Sequence, residues 1–137
     1  MEQLSLDLIK QNLPEQADDQ AILAFFLNVF EHAPNVFFVK DKDGRYLLVN
    51  KEFERFVNLP LESIIGKTDF DIMNERDAIE CVASDQPAKD EPGKVHISFE
   101  VERAPNGDIA SYLSVNKQVV TTSIGDMLIG IVTRVAA

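Results

Sequence analysis

The stretch Lys94–Val120, KVHISFEVERAPNGDIASYLSVNKQVV, brings the chain to a period of two: Val95, Ile97, Phe99 and Val101 alternate with His96, Ser98, Glu100 and Glu102. Successive side chains on a strand point to opposite faces, so this reads as a strand with an apolar face toward a core and a polar face toward water. Pro105-Asn106-Gly107-Asp108 then signals a hairpin, because Asn-Gly tolerates the positive φ that a tight turn requires. Ile109–Val120 follows as a second strand, Thr122–Asp126 turns the chain again, and Met127–Val135 forms a third. Three long antiparallel strands are therefore expected to close the chain.

Upstream, a shorter hairpin is legible. Val36–Val39 and Arg45–Val49 are strand-like and flank Asp41-Lys42-Asp43-Gly44, where Gly44 suits a positive-φ position and Asp41 can accept from the turn's backbone. Asn50 sits where a helix starts, before Phe53, Phe56 and Val57 at helical spacing. Pro60 and Gly66 bracket a single turn. Asn74, three residues before Asp77, opens a helix expected to run to about Asp85 with Ile79 and Val82 inward, and Pro87–Gly93 reads as an acidic connection. Five strands interrupted by short helices give an α+β class with an antiparallel sheet and the helices on one face.

The N-terminal part divides at residue 19. Leu6, Ile9 and Leu13 lie at helical spacing before Pro14, so 1–19 is expected to be a short helical arm and linker, with 20–137 the main domain. Between Gln20 and Phe30, Ile22, Phe25, Phe26, Val29 and Phe30 share a face, with Leu23 and Leu27 beside it. A helix apolar over so much of its girth needs two covers. The expectation is that Leu23, Phe26, Leu27 and Phe30 form a homodimer interface.

The formal net charge of −10, from 13 Lys plus Arg against 23 Asp plus Glu, argues against direct nucleic-acid binding, since phosphates would be repelled. The longest apolar run, Ala21–Leu27, is far short of the ~20 residues a membrane helix needs. Cys81 is the single cysteine, so no intrachain disulfide can form. These features are those expected of a cytoplasmic protein with no membrane association.

The order of two strands, small helices and three strands resembles that of PAS domains, over Phe30 to Val132. The resemblance is carried by FEHAPNVFFVKDKDGRYLLVNKEFERFVNLPLESIIGKTDFDI (30–72), RAPNGDIASYLSVNKQVV (103–120) and IGDMLIGIVTRV (124–135). It implies a five-stranded antiparallel sheet cupping a pocket beneath helices. It also implies a sensory, non-catalytic module in signalling proteins such as histidine kinases of two-component systems, diguanylate cyclases or transcription regulators. Members of the family often finish with an Asp-Ile-Thr signal-transfer element, whereas this chain reads Thr133-Arg134-Val135, so the downstream effector is expected to be missing from it.

Against that resemblance, the helix that carries a haem-ligating His in some members should be Asn74–Asp85, and it has none. Lys67–Met73 lacks the Asn-Cys-Arg motif of flavin-binding relatives. Haem and flavin are thus not expected, and a small organic ligand is the remaining cofactor class. One Cys and two His do not make an ordinary four-ligand zinc site, and no metal is expected. His96 reads as solvated, His32 as sitting at a helix C-terminus, and Cys81 as a packed hydrophobe. With no phosphate-cradling loop and no nucleophile–base arrangement, no enzyme is expected. The pocket is expected to be lined by Phe99, Val101, Leu113, Val115, Ile129 and Ile131 from the sheet, facing Phe53, Phe56, Phe70, Ile79 and Val82 from the helices. The competing reading is a ligand-free interaction domain whose core is simply filled.

Overall fold

The computed structural model describes residues 4–15 and 17–136; Met1–Gln3, which belong to the expected N-terminal arm, lie outside the described residues, as do Gln16 and Ala137. The chain forms an N-terminal unit ending at Phe30 and a larger unit beginning at Glu31.

In the N-terminal unit, α1 (Leu6–Gln11) is capped by Ser5, whose Oγ accepts from the Leu8 amide at 3.1 Å. Helix α2 (Asp19–His32) begins in the same way, with Asp18 Oδ1 accepting from the Ala21 amide at 2.8 Å. Leu23, Phe25, Phe26, Leu27 and Val29 are exposed along it, and the Phe25 and Phe26 rings meet edge to face.

The larger unit is built on one antiparallel sheet of order β2-β1-β5-β4-β3, with β1 Val36–Lys40, β2 Tyr46–Val49, β3 His96–Arg103, β4 Ile109–Thr122 and β5 Gly125–Ala136. The Asp41–Gly44 turn forms as its sequence dictates: Asp41 Oδ1 accepts from the Asp43 and Arg45 amides, and Gly44 has φ +79°. Between β2 and β3 lie α3 (Lys51–Val57), a 3-10 turn (Leu61–Ser63), α4 (Asp69–Ile72) and α5 (Glu75–Asp90).

Three local expectations fail. Helix α5 does not stop near Asp85 but runs through Pro87 to Asp90. Proline forfeits one helical hydrogen bond, a cost of ~3 kcal/mol in an ordinary helix interior. Asp85 and Ala88, both buried, anchor the turn on either side of it. The inner face of α5 is Ala78, Asp85 and Ala88 with half-buried Cys81, whereas Ile79 and Val82 are 53% and 43% exposed. Small residues point inward, so the helix leaves space in front of the sheet.

The third reversal concerns the sheet itself. Leu113, Val115, Lys117 and Val119 of β4 are buried on the helix-covered face. The register pairs Leu113 with Glu100, Val115 with Ser98 and Lys117 with His96, and paired residues share a face. The polar side of β3 therefore faces inward, and of the apolar set Val95, Ile97 and Phe99 face out, being 51%, 62% and 79% exposed. In β5 the inward residues are Leu128, Gly130 and Val132, paired with Lys40, Phe38 and Val36, so Ile129 and Ile131 belong to the outer face.

Candidate functional site

A cavity of about 360 Å³ lies in the larger unit between the inner sheet face, α3 and α5. Of the residues expected to line it, Phe53, Phe56, Val101, Leu113 and Val115 do. Phe70, Ile79, Val82 and Phe99 are exposed elsewhere, and Ile129 and Ile131 lie on the opposite side of β5. Phe70 loses its place to its neighbour Asp69, which the single turn of α4 directs inward.

The wall left unread is charged. Lys40 at the end of β1 is 2% exposed, and its Nζ lies 2.6 Å from Asp69 Oδ2 and 2.8 Å from Asp85 Oδ2. The other oxygen of Asp85 takes Lys117 Nζ at 2.6 Å, and Lys117 also donates to Ser84 Oγ. Tyr46 donates its hydroxyl to Asp69 Oδ1. One buried chain of charges, Asp69–Lys40–Asp85–Lys117, thus ties β1, α4, α5 and β4 together.

The electrostatics of the chain are internally consistent. Burial pulls the Lys40 ammonium down, but the charges of Asp85 and Asp69 more than offset this, and its pKa is raised. Burial first, and then the Asp69 carboxylate, push the Tyr46 phenol up, so it remains a donor. Cys81 borders the same cavity, and burial pushes its thiol up to about 12. A thiol so far from ionising is a poor nucleophile near neutral pH.

One glycine shapes the floor. Gly130 pairs with Phe38 on one side and Lys117 on the other. With no side chain there, the Phe38 ring lies across β5, where any Cβ on residue 130 would run into it. The ring thereby comes within 6.0 Å of Lys117 Nζ and 5.4 Å of Lys40 Nζ.

At the β3 side, Glu100 faces the cavity, and burial raises its pKa. Glu102 is held below the usual carboxylate range, first by its hydrogen bond from Arg134. His96, read as solvated, points inward with its Nε2 3.4 Å from Glu91 Oε1. Among the described residues, no group of three or more His, Cys, Asp and Glu is placed to hold a metal ion. No helix among them is long and apolar enough to cross a membrane.

The sequence held a signal for Lys117, which interrupts the run Leu113, Val115, Val119 at even spacing on a face otherwise apolar. Lys40 ends an otherwise apolar strand and carried no such mark, and nothing in sequence pairs either lysine with Asp69 or Asp85.

Residues 30–116 match the family model described as the PAS fold. The chain belongs to the PAS family. Solved PAS domains have the same architecture. The PAS domain of Bordetella pertussis BvgS is 19% identical, with a TM-score of 0.68 over 88% of this chain and 89% of that one. That of an HTR-like protein from Haloarcula marismortui is 14% identical, with a TM-score of 0.63 over 85% and 93%. VqmA of Vibrio cholerae, in a complex with ligand and DNA, is 18% identical with a TM-score of 0.69; the match covers 88% of this chain but 53% of VqmA. No curated protein matches the chain. PAS domains are typical sensor modules of signalling proteins, found in kinases and regulators, and are generally not catalytic.

Proposed function

We propose that this PAS domain is a cytoplasmic sensory module that binds a small organic ligand in the cavity of the larger unit and signals by self-association to an effector outside this chain. One observation carries the reading: a cavity of about 360 Å³ whose wall holds buried charges rather than more hydrocarbon. A filled core has no use for two lysines, whose desolvation is costly, whereas a ligand site commonly sets a few polar groups in an apolar wall. VqmA, which shares the fold, has been solved bound to DPO and as a dimer, which supports the same two properties here. Native mass spectrometry of the freshly purified chain tests the ligand: a reproducible extra mass, lost on denaturation, is the expected result. Its absence from protein made in several hosts counts against sensing.

A second reading, a ligand-free interaction domain, is favoured by two exposed apolar surfaces: Leu23, Phe26 and Leu27 on α2, and Ile97 and Phe99 on β3 with Val95 just before it. In both readings these surfaces meet a second copy of the chain, with Phe30 at the end of the α2 stripe and the domain counted from residue 20. Leu27→Glu and Phe99→Glu should each convert a dimer into a monomer by light scattering. An unchanged mass in both variants would remove self-association from the proposal. The high acidic charge argues against a direct nucleic-acid role for this chain.

A further inference from the structure

We infer that the cavity takes a small organic cation, an amine or amidine carried on a single ring or a short hydrocarbon body. This rests on the reading of the cavity as a ligand site and adds the chemistry of its occupant. Charge matching around the wall gives the sign. The ammonium groups of Lys40 and Lys117 are matched one for one by the carboxylates of Asp69 and Asp85. An entering anion would therefore find no uncommitted positive charge in the buried network. Glu102 is paired with Arg134, whose guanidinium Nε lies 3.1 Å from it, and Asp77 accepts from the side chain of Asn74 at 2.9 Å. Arg103, the remaining cation of the lining, is exposed and donates to the carbonyl of Gly107 in the β3–β4 turn.

That leaves Glu100 on the inner face of β3, which accepts a hydrogen bond from Ser98, and the exposed Glu80 on α5, both bordering the cavity and neither in an ion pair among the described residues. Burial first, and then the carboxylates of Glu80 and Asp85, raise the cost of ionising Glu100, while the Lys117 ammonium lowers it. A cation between the two carboxylates relieves that repulsion and receives charge-assisted hydrogen bonds. Phe38, Phe53 and Phe56 line the cavity too; Lys40 and Lys117 already lie over the Phe38 ring and Arg134 over the Phe56 ring, so the aromatic wall suits the hydrocarbon body of the ligand. The volume lies near the lower end of the ~300–1,000 Å³ range of organic ligand sites, which limits the ligand to about one ring.

Three isosteric probes separate the possibilities on the full chain at neutral pH: benzylamine (a cation), benzyl alcohol (neutral) and benzoate (an anion), each followed by amide chemical shifts of cavity residues. The expected result is binding of benzylamine about tenfold tighter than benzyl alcohol, as one charge-assisted hydrogen bond provides, with benzoate silent. Glu100→Gln should abolish that preference, while benzyl alcohol still shifts the same cavity amides, which shows that the variant's cavity is intact. If benzoate binds best, or Glu100→Gln keeps the full preference for the amine, the inference is wrong. Equal binding of amine and alcohol leaves the cavity as a ligand site but removes its preference for cations. If no probe shifts a cavity residue and no mass co-purifies, both readings fall together.

Discussion

Strands β3 and β4 carry the same alternation and resolve it in opposite ways. In β4 the apolar set Leu113, Val115 and Val119 is buried, whereas in β3 the apolar set Val95, Ile97 and Phe99 is exposed and the polar set looks inward. Period two shows that a strand has two different faces; it does not show which of them the fold covers. That choice is made by register with the neighbour, and β3, at the sheet edge, borders the cavity with Glu100 and Glu102. A charged inner wall on one strand and an apolar outer one then follow from a single pairing.

The contrast can be broken most severely at its buried end. Asp85→Asn removes the carboxylate shared by Lys40 and Lys117, and breaking a buried pair of this kind costs about 3–5 kcal/mol in urea denaturation. On the exposed face of β3, Phe99→Ser should stay within about 0.5 kcal/mol of the parent when both are compared as monomers, as surface substitutions do. Were Phe99→Ser the more damaging of the two, the assignment of faces would be reversed. Gly130→Ala comes next, at about 1–3 kcal/mol, because its Cβ must displace the Phe38 ring, and calorimetry would show the drop in Tm.

The smallest effects are electrostatic and divide the two glutamates of β3. Glu102 has a depressed pKa in the folded chain, so the stability it adds is present above the unfolded value and fades as pH falls through the folded one. Glu100 has a raised pKa, so its charged form costs stability above that value, and the cost disappears as pH falls through it. Glu102→Gln should therefore lower Tm and Glu100→Gln raise it at neutral pH, with both differences shrinking toward acid. Melting curves across pH would check both signs.

The fold was legible because its signals are local. Asn50, Gly44, Asn106-Gly107 and the strand periods each act over a few residues, and they mark the elements and the hairpins that join neighbours. The site was legible only where one face of an element is unambiguous, as for Phe53, Phe56, Leu113 and Val115. β5 is apolar on both faces, so Ile129 and Ile131 gave no sign that Gly130 is the inward position. The charge chain is a tertiary property: Lys40 and Asp85 are 45 residues apart, and neither is unusual until it is buried beside the other.

Asn50 joins these parts mechanically. Its Oδ1 accepts from the amides of both Phe37 and Phe53, and its Nδ2 donates to the Asn35 carbonyl at 2.8 Å. One fully occupied side-chain amide thus rivets the first turn of α3, which carries Phe53 into the cavity, to the start of β1 just beyond α2. Moving the backbone of Phe53 therefore breaks a hydrogen bond to the same carboxamide that holds Phe37 and Asn35 at the start of the first strand.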